Sequence, residues 1–297
     1  MNTEQVNPKT ADIDQLDTLA MVERIHVEDQ VAHNAVSAAL PQIAAAIDGI
    51  VARMRLGGRL FYVGAGTSGR IGVIDAVECM PTYNTPPNLV QGIIAGGTPA
   101  FTASIEAVED DAQAGAGELV SRGLTAIDSV VGIAASGRTP FVVGALVYAC
   151  GIGACTVGIA NNAPSSVLET ADHPIALLTG AEVIAGSTRM KAGTAQKLTL
   201  NMISTSAMIQ LGKVYGNLMV DLQVKNNKLH RRALGLIQQI AQVDETRAQT
   251  LLAASGRSVK VAVVMARRDV SADDARALLA RADGVLRRVI DVRGGTP

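Results

Sequence analysis

Three stretches of this chain combine glycines, hydroxyls and cations in the way that anion binding requires. The richest is Thr179-Gly-Ala-Glu-Val-Ile-Ala-Gly-Ser-Thr-Arg-Met-Lys-Ala-Gly-Thr-Ala-Gln-Lys197. Read as a turn at Gly186-Ser187-Thr188 followed by a helix from Arg189 to Gly212, it places hydroxyls and free backbone N–H groups at a helix N-terminus, where partial positive charge suits a phosphate dianion. The plainer reading is that Ser187 or Thr188 caps the helix. A second stretch, Gly64-Ala-Gly-Thr-Ser-Gly-Arg70, follows the apolar run Leu60–Val63 and precedes the apolar run Ile71–Val77. It satisfies G-x-G-x-x-G but has neither the spacing nor the lysine of a P-loop. No carboxylate stands about 20 residues on, as a dinucleotide fold would want, and the run Leu89–Ala95 ends in Gly96-Gly97-Thr98. Gly66, Thr67, Ser68 and Gly69 therefore favour a single phosphate group. The third stretch, Ala134-Ala-Ser-Gly-Arg-Thr-Pro140, repeats this chemistry with Ser136, Gly137, Arg138 and Thr139 after the strand-like run Ser129–Ile133. Arg70 and Arg138 have a second reading, as braces for their loops.

Five apolar runs qualify as strands: Leu60–Val63, Leu89–Ala95, Ser129–Ala134, Cys155–Ala160 and Pro174–Leu178. Helical patterns separate them, so the alternation predicts an α/β fold with a five-stranded parallel sheet covered on both faces. Loops at the carboxyl ends of such strands converge on one edge, where open α/β sheets bind ligands. Ahead of the sheet, Thr10–Arg55 has helical period and is expected to break near Val27–Gln30. Behind it, a break around Gly216–Lys228 leads into short helices over Lys228–Gln242, Asp244–Ala254, Val259–Met265 and Ala272–Leu279. The expected organisation is an N-terminal helical segment over 1–56, a sugar-phosphate-binding sheet domain over 57–222 and a small helical domain over 223–297.

Composition narrows the classes. The 297 residues carry a formal net charge of −1 and only 2% aromatics, which argues against nucleic acid as partner and against stacking platforms for bases. Cys79, Cys150 and Cys155 lack metal or redox spacing and fit a reducing compartment; four histidines form no ligand motif, so no metal and no cofactor are expected. The uncharged stretch Thr139–Leu168 has the length of a membrane span, but Gly151 and Gly153 interrupt it, and a buried helix followed by a buried strand is expected instead. The polar residues 1–12 offer no apolar segment for a secretory signal, so the expectation is a cytoplasmic protein.

Taken together, Gly64–Arg70, Glu78-Cys-Met-Pro-Thr82, Glu106-Ala-Val-Glu-Asp-Asp111, Ala134–Pro140, Glu182–Lys197 and Leu200-Asn-Met-Ile-Ser-Thr205 resemble the N-acetylmuramic acid 6-phosphate etherase family, a branch of the sugar isomerase (SIS) folds. The resemblance covers nearly the whole chain. The third-loop signature is shared with glucokinase regulatory proteins, so it specifies ligand class better than activity. The family removes D-lactate from carbon 3 of N-acetylmuramic acid 6-phosphate. In the ring-opened sugar the aldehyde acidifies the carbon 2 hydrogen; one carboxylate removes it, a carboxylic acid protonates the departing lactate oxygen, and water adds to the unsaturated aldehyde. Such a pair needs opposite protonation states. The resemblance implies that Glu78 is the proton donor and Glu109 the carbon 2 base. From the residues alone, Glu109 sits in an acidic run that also reads as a solvated face, with Glu106 as a rival. Glu182 is either a sugar-hydroxyl acceptor or an acceptor for backbone N–H groups, and Lys191 and Lys197 either pair with acids or reach the substrate carboxylate. The resemblance further implies a homodimer, for which the apolar helix around Met202–Met208 is an expected interface. A sugar-phosphate sensor and an aldose-ketose isomerase are the alternatives.

Overall fold

The computed structural model describes residues 1–105, 107–224 and 226–291. Glu106, the rival base, lies outside the described residues.

Three turns of 3-10 helix, at Asn2–Glu4, Pro8–Thr10 and Ile13–Gln15, lead into α1 (Thr18–Ala38) and α2 (Leu40–Arg55). The break between these helices falls at Ala39, not near Val27–Gln30. Pro41 is the reason: it lacks an N–H and is tolerated only in a first turn, so it begins α2. Then follow β1 (Leu60–Gly64), α3 (Gly66–Tyr83), β2 (Val90–Ile94), α4 (Ala112–Ser121), β3 (Ser129–Ala134), α5 (Pro140–Gly151), β4 (Cys155–Ala160), α6 (Ser166–Thr170), β5 (His173–Ala176) and α7 (Lys191–Gln210). All five strands pair in parallel, in the order β2-β1-β3-β4-β5. β1, β3 and β4 are buried along their whole length, as their unbroken apolar runs require.

The chain divides into two compact units. The first, residues 1–77 and 87–204, holds the sheet. Phe61, Val63, Val130, Phe141, Val142 and Leu146 anchor one of its cores, where α5 lies against the sheet. The uncharged stretch after Thr139 resolves into this buried helix and the buried strand β4, as expected. Among the described residues no single helix is long and apolar enough to cross a membrane; α1 and α2 reach the necessary length and composition only as a pair bent by 57°.

The second unit comprises residues 78–86 and the chain from Thr205 onward. A short antiparallel pair, β6 (Val214–Tyr215) and β7 (Leu218–Met219), precedes α8 (Asn227–Ala241), α9 (Glu245–Ala254), α10 (Val259–Arg268), α11 (Ala272–Arg281) and α12 (Leu286–Ile290). The hairpin occupies part of the expected break after Gly216, and α12 is an addition to the expected helices. Asn226, Asp244, Ser258 and Ser271 each accept a backbone N–H at a helix start, which explains why these short helices begin where they do. Leu236, Ile237, Leu251, Val263 and Leu286 lie in their common core.

Within the first unit α1 is pinned to the start of α7. The Lys191 ammonium lies 2.6 Å from Glu28 Oε2, and both side chains are almost fully buried. Burial alone would raise the Glu28 carboxyl, but hydrogen bonds from Lys191 and Asn7 and the charges of Lys191 and Lys9 outweigh it and hold it below its ordinary value. Asp128, before β3, likewise overcomes its burial through hydrogen bonds from Arg59 and Thr125.

Two outcomes follow from these pairs. Lys191→Met leaves Glu28 charged, buried and without its main partner, so chemical denaturation is expected to register a loss of about 3–5 kcal/mol; a loss below about 1 kcal/mol would contradict the pairing. A depressed carboxyl contributes stability above its ordinary value and loses it as pH falls through the folded value. The stability gap between the native chain and Asp128→Asn should therefore be full at neutral pH and shrink below the ordinary Asp value of 3.8; a gap unchanged in acid would refute the assignment.

Candidate functional site

Because the five strands are parallel, the connections after β1, β2, β3, β4 and β5 all leave the same edge of the sheet. The chain runs from β1 outward to β2 and then returns to β3 on β1's other side, so a topological switch point lies between β1 and β3. The two glycine loops flank it. In the first, the end of β1 and the first turn of α3 approach so closely that a Cβ on Gly69 would stand 2.8 Å from the Gly64 carbonyl oxygen and 2.7 Å from Ile94 Cγ1. The glycine spacing is thus a packing requirement. In the second, Gly137 has φ +70° and a Cβ there would stand 2.4 Å from Ser165 Oγ.

Helix α3 starts at Gly66, so the N–H groups of Gly66, Thr67 and Ser68 have no intrahelical acceptor. Among the described residues no other group accepts from them; the first loop-to-helix bond runs from Gly69 N to the Ala65 carbonyl. The Ser68 side chain is spoken for: it is buried, and its hydroxyl donates to Gln196 Oε1 at 2.8 Å. In the second loop Ser136 Oγ accepts the Arg138 N–H at 3.2 Å, Thr139 stands at the start of α5, and Arg138 is exposed.

The third loop differs from the sequence reading. The N–H groups of Lys191 and Ala192 at the start of α7 are already taken by the Glu182 carboxylate, at 3.1 and 2.9 Å. Glu182 is fully buried; burial pushes its carboxyl above the ordinary value against these two backbone bonds and the Lys191 charge. Of its two readings, the structure selects the acceptor for backbone N–H groups. The expected free helix N-terminus is therefore filled from within. Ser187 and Thr188 remain half-buried on the loop, with Ser187 N bonded to the Ile184 carbonyl and Thr188 N to the Gly186 carbonyl. Lys191 is spent on Glu28, while Lys197 is exposed.

Glu109 comes to the crest by a route the sequence reading did not foresee. The segment after β2 forms only 3-10 turns, at Thr98–Phe101 and Val108–Asp110, because Gly96-Gly97-Thr98-Pro99 breaks helical continuity; Glu109 precedes α4. With Ala65, Gly66, Arg70, Ala95 and Ile105 it lines a cavity of about 270 Å³. Arg70 braces that wall, donating to the carbonyls of Ala100 and Ala103 at 3.0 Å each. Glu78 is exposed. It belongs to the last part of α3, ahead of Pro81. Helix α3 runs through Pro81 and ends at Tyr83, with Asn84 left-handed at φ +53°.

Several residues that hold the crest together escaped the sequence reading. Asn161 donates to the Leu177 carbonyl and accepts from Gln196; Asn162 donates to the Ala135 carbonyl and Thr3 Oγ1. Residues 2–10 stitch onto the third loop, where Thr10 Oγ1 donates to the Val183 carbonyl and Gly186 N donates to the Thr3 carbonyl. The adjacent asparagines read as a turn in sequence; their place directly after a buried strand was the available signal. Asp75, on α3, accepts from Asn201 and Ser204 on α7, and burial pushes its carboxyl up despite these bonds. Around the expected interface at Met202–Met208, Ile203, Ala207 and Met208 are buried within the chain, whereas Met202 is partly exposed and Thr205 and the adjoining Ile209 are exposed. Among the described residues no group of three metal-ligating side chains has the geometry to hold an ion.

Comparison with known proteins agrees with this architecture. Residues 42–150 match the glucokinase regulatory protein N-terminal SIS domain, and residues 216–260 the C-terminal lid domain of glucokinase regulatory protein. An N-acetylmuramic acid 6-phosphate etherase of Caldanaerobacter subterraneus subsp. tengcongensis is 51% identical over 98% of this chain and 95% of its own length. One from Gloeobacter violaceus is 54% identical over 89% and 86%. A phosphoheptose isomerase from Francisella tularensis aligns with 66% of this chain and all of its own, at 18% identity and a TM-score of 0.49. With half its residues shared along almost the entire length of such relatives, the chain belongs to the N-acetylmuramic acid 6-phosphate etherase family.

Proposed function

We propose that this chain cleaves the D-lactyl ether of N-acetylmuramic acid 6-phosphate, yielding N-acetylglucosamine 6-phosphate and D-lactate by elimination and then water addition, in the catabolism of cell-wall amino sugars. The observation that carries the reading is the placement of Glu109 and Gly66 on one cavity wall, with the unpartnered N–H groups of α3 beginning at that same glycine. The phosphate sits on the N–H groups of Gly66, Thr67 and Ser68, where the helix dipole favours negative charge. Thr67, Ser136 and Thr139 supply hydroxyls from the two loops beside the switch point, Gly137 and Arg138 complete the second loop, and Ser187 and Thr188 supply hydroxyls from the third. Glu182 acts by holding the third loop and α7 together.

A base must lie within hydrogen-bond reach of the proton it removes. Glu109 meets the first condition for that role, being exposed on a wall adjacent to the anion cradle, and it takes the carbon 2 proton. Glu78 supplies the proton to the departing lactate oxygen. We further propose that two copies associate and that the protein works in the cytoplasm, on sugar recovered from cell-wall material.

The test is D-lactate release from N-acetylmuramic acid 6-phosphate by the purified chain. Glu109→Gln and Glu78→Ala are each expected to lower the rate by on the order of a hundredfold or more. Full lactate release by Glu109→Gln would remove it as the base. Binding of the phosphosugar without lactate from the native chain would favour a sensor, the reading closest to the regulatory-protein domain models it matches.

A further inference from the structure

Behind the first glycine loop lies a chain of buried amides whose direction is fixed. The Leu177 carbonyl, just past β5, can only accept. It takes a hydrogen bond from Asn161 Nδ2 at 2.9 Å. Asn161 must then present its oxygen to Gln196, whose Nε2 donates to it at 2.9 Å. Gln196 in turn must present Oε1 to Ser68, whose hydroxyl donates at 2.8 Å. Asn161 and Gln196 are essentially fully buried and Ser68 nearly so. Reversing any one amide would set two acceptors or two donors against each other where water cannot compensate. The hydroxyl proton of Ser68 is thereby committed inward, and what Ser68 offers outward is its backbone N–H.

We propose that Gln196 is a positioning residue for phosphate recognition: through the Ser68 hydroxyl it fixes the first turn of α3 and so aims the N–H groups of Gly66, Thr67 and Ser68 at the anion. This rests on the reading that the phosphate binds at the start of α3. The relay joins the connections after β1, β4 and β5 through α7, so the cradle is held from three strands at once. Preorganised donors bind better because their ordering cost is met during folding. Gln196 touches no substrate in this arrangement.

The experiment measures KM and kcat for lactate release, together with the inhibition constant of inorganic phosphate, for the native chain and for Gln196→Met, Ser68→Ala, their double variant and Thr67→Val. Gln196→Met is expected to raise KM and the phosphate inhibition constant together by roughly tenfold, with kcat within about threefold, as loss of one aligned hydrogen bond would do. The double variant should be no worse than Gln196→Met, because that substitution already cuts the one link that Ser68→Ala removes. An unchanged inhibition constant in Gln196→Met, or full additivity in the double variant, overturns the proposal. Thr67→Val separates the two readings: if neither it nor Ser68→Ala alters phosphate inhibition, the placement of the phosphate is wrong, whereas an effect of Thr67→Val without one of Gln196→Met sinks the relay alone. If Gln196→Met fails to fold, Gln196→Asn, too short to reach Ser68 yet still polar, takes its place with the same expected and overturning results.

Discussion

Two helices begin in the site loops with different endowments, and the difference organises everything around them. At α7 the first amides are consumed by the buried Glu182 carboxylate. At α3 the amides of Gly66, Thr67 and Ser68 have no acceptor among the described residues. A helix start left without partners in a folded protein is costly unless water or a ligand completes it. Placing a carboxylate on one helix and nothing on the other makes α3 the anion site and α7 a structural strut. Glu28 and Lys191 then hold that strut to α1 by a buried ion pair.

The strut matters because loops are otherwise loose. The third loop carries Ser187 and Thr188 at the end of a long connection from β5, and ordering it costs backbone entropy. Glu182 pins it to α7, Thr3 and Thr10 pin it to the N-terminal segment, and Asn162 ties that segment to the second loop. The crest is thus a polar lattice anchored in an aliphatic sheet. Asn161, Asn162, Glu182 and Gln196 are buried there in donor-to-acceptor chains, which is the condition under which burying them is tolerable, while the buried Ser165 and Thr179 hydroxyls lack a hydrogen-bond partner among the described residues.

For the chemistry, the fold separates binding from reaction. Anion binding draws on backbone groups and small hydroxyls beside the switch point between β1 and β3, whereas Glu109 arrives on a 3-10 turn of the β2–α4 connection. The wall it shares is rich in small residues such as Ala65, Ala95 and Ala100, with the Arg70 side chain spent on bracing carbonyls. An exposed carboxylate on this small wall is available to a substrate proton without first being freed from an internal partner among the described residues. Glu182 and Asp75 show the opposite arrangement: both are buried and held by internal donors.

The strands were legible because parallel strands covered on both faces must be apolar throughout. Ser129–Ala134 and Cys155–Ala160 occur as read, and Gly64 and Gly69 occur where close backbone approach demands them. Local pattern also located the helices of the second unit, and the caps at Asp244, Ser258 and Ser271 are the physical reason that they start there. Where a local signal was passed over, as with Pro41, the element boundary moved. What the linear pattern could not contain is which buried polar group meets which. Glu182 and the amides of α7 are nine and ten residues apart, and Glu28 and Lys191 are separated by 163. Residue types and spacing determined the sheet, the phosphate-like chemistry of its loops and the family. Tertiary structure decided that the α7 terminus is closed and the α3 terminus open, because filling a donor depends on which acceptor the fold delivers to it.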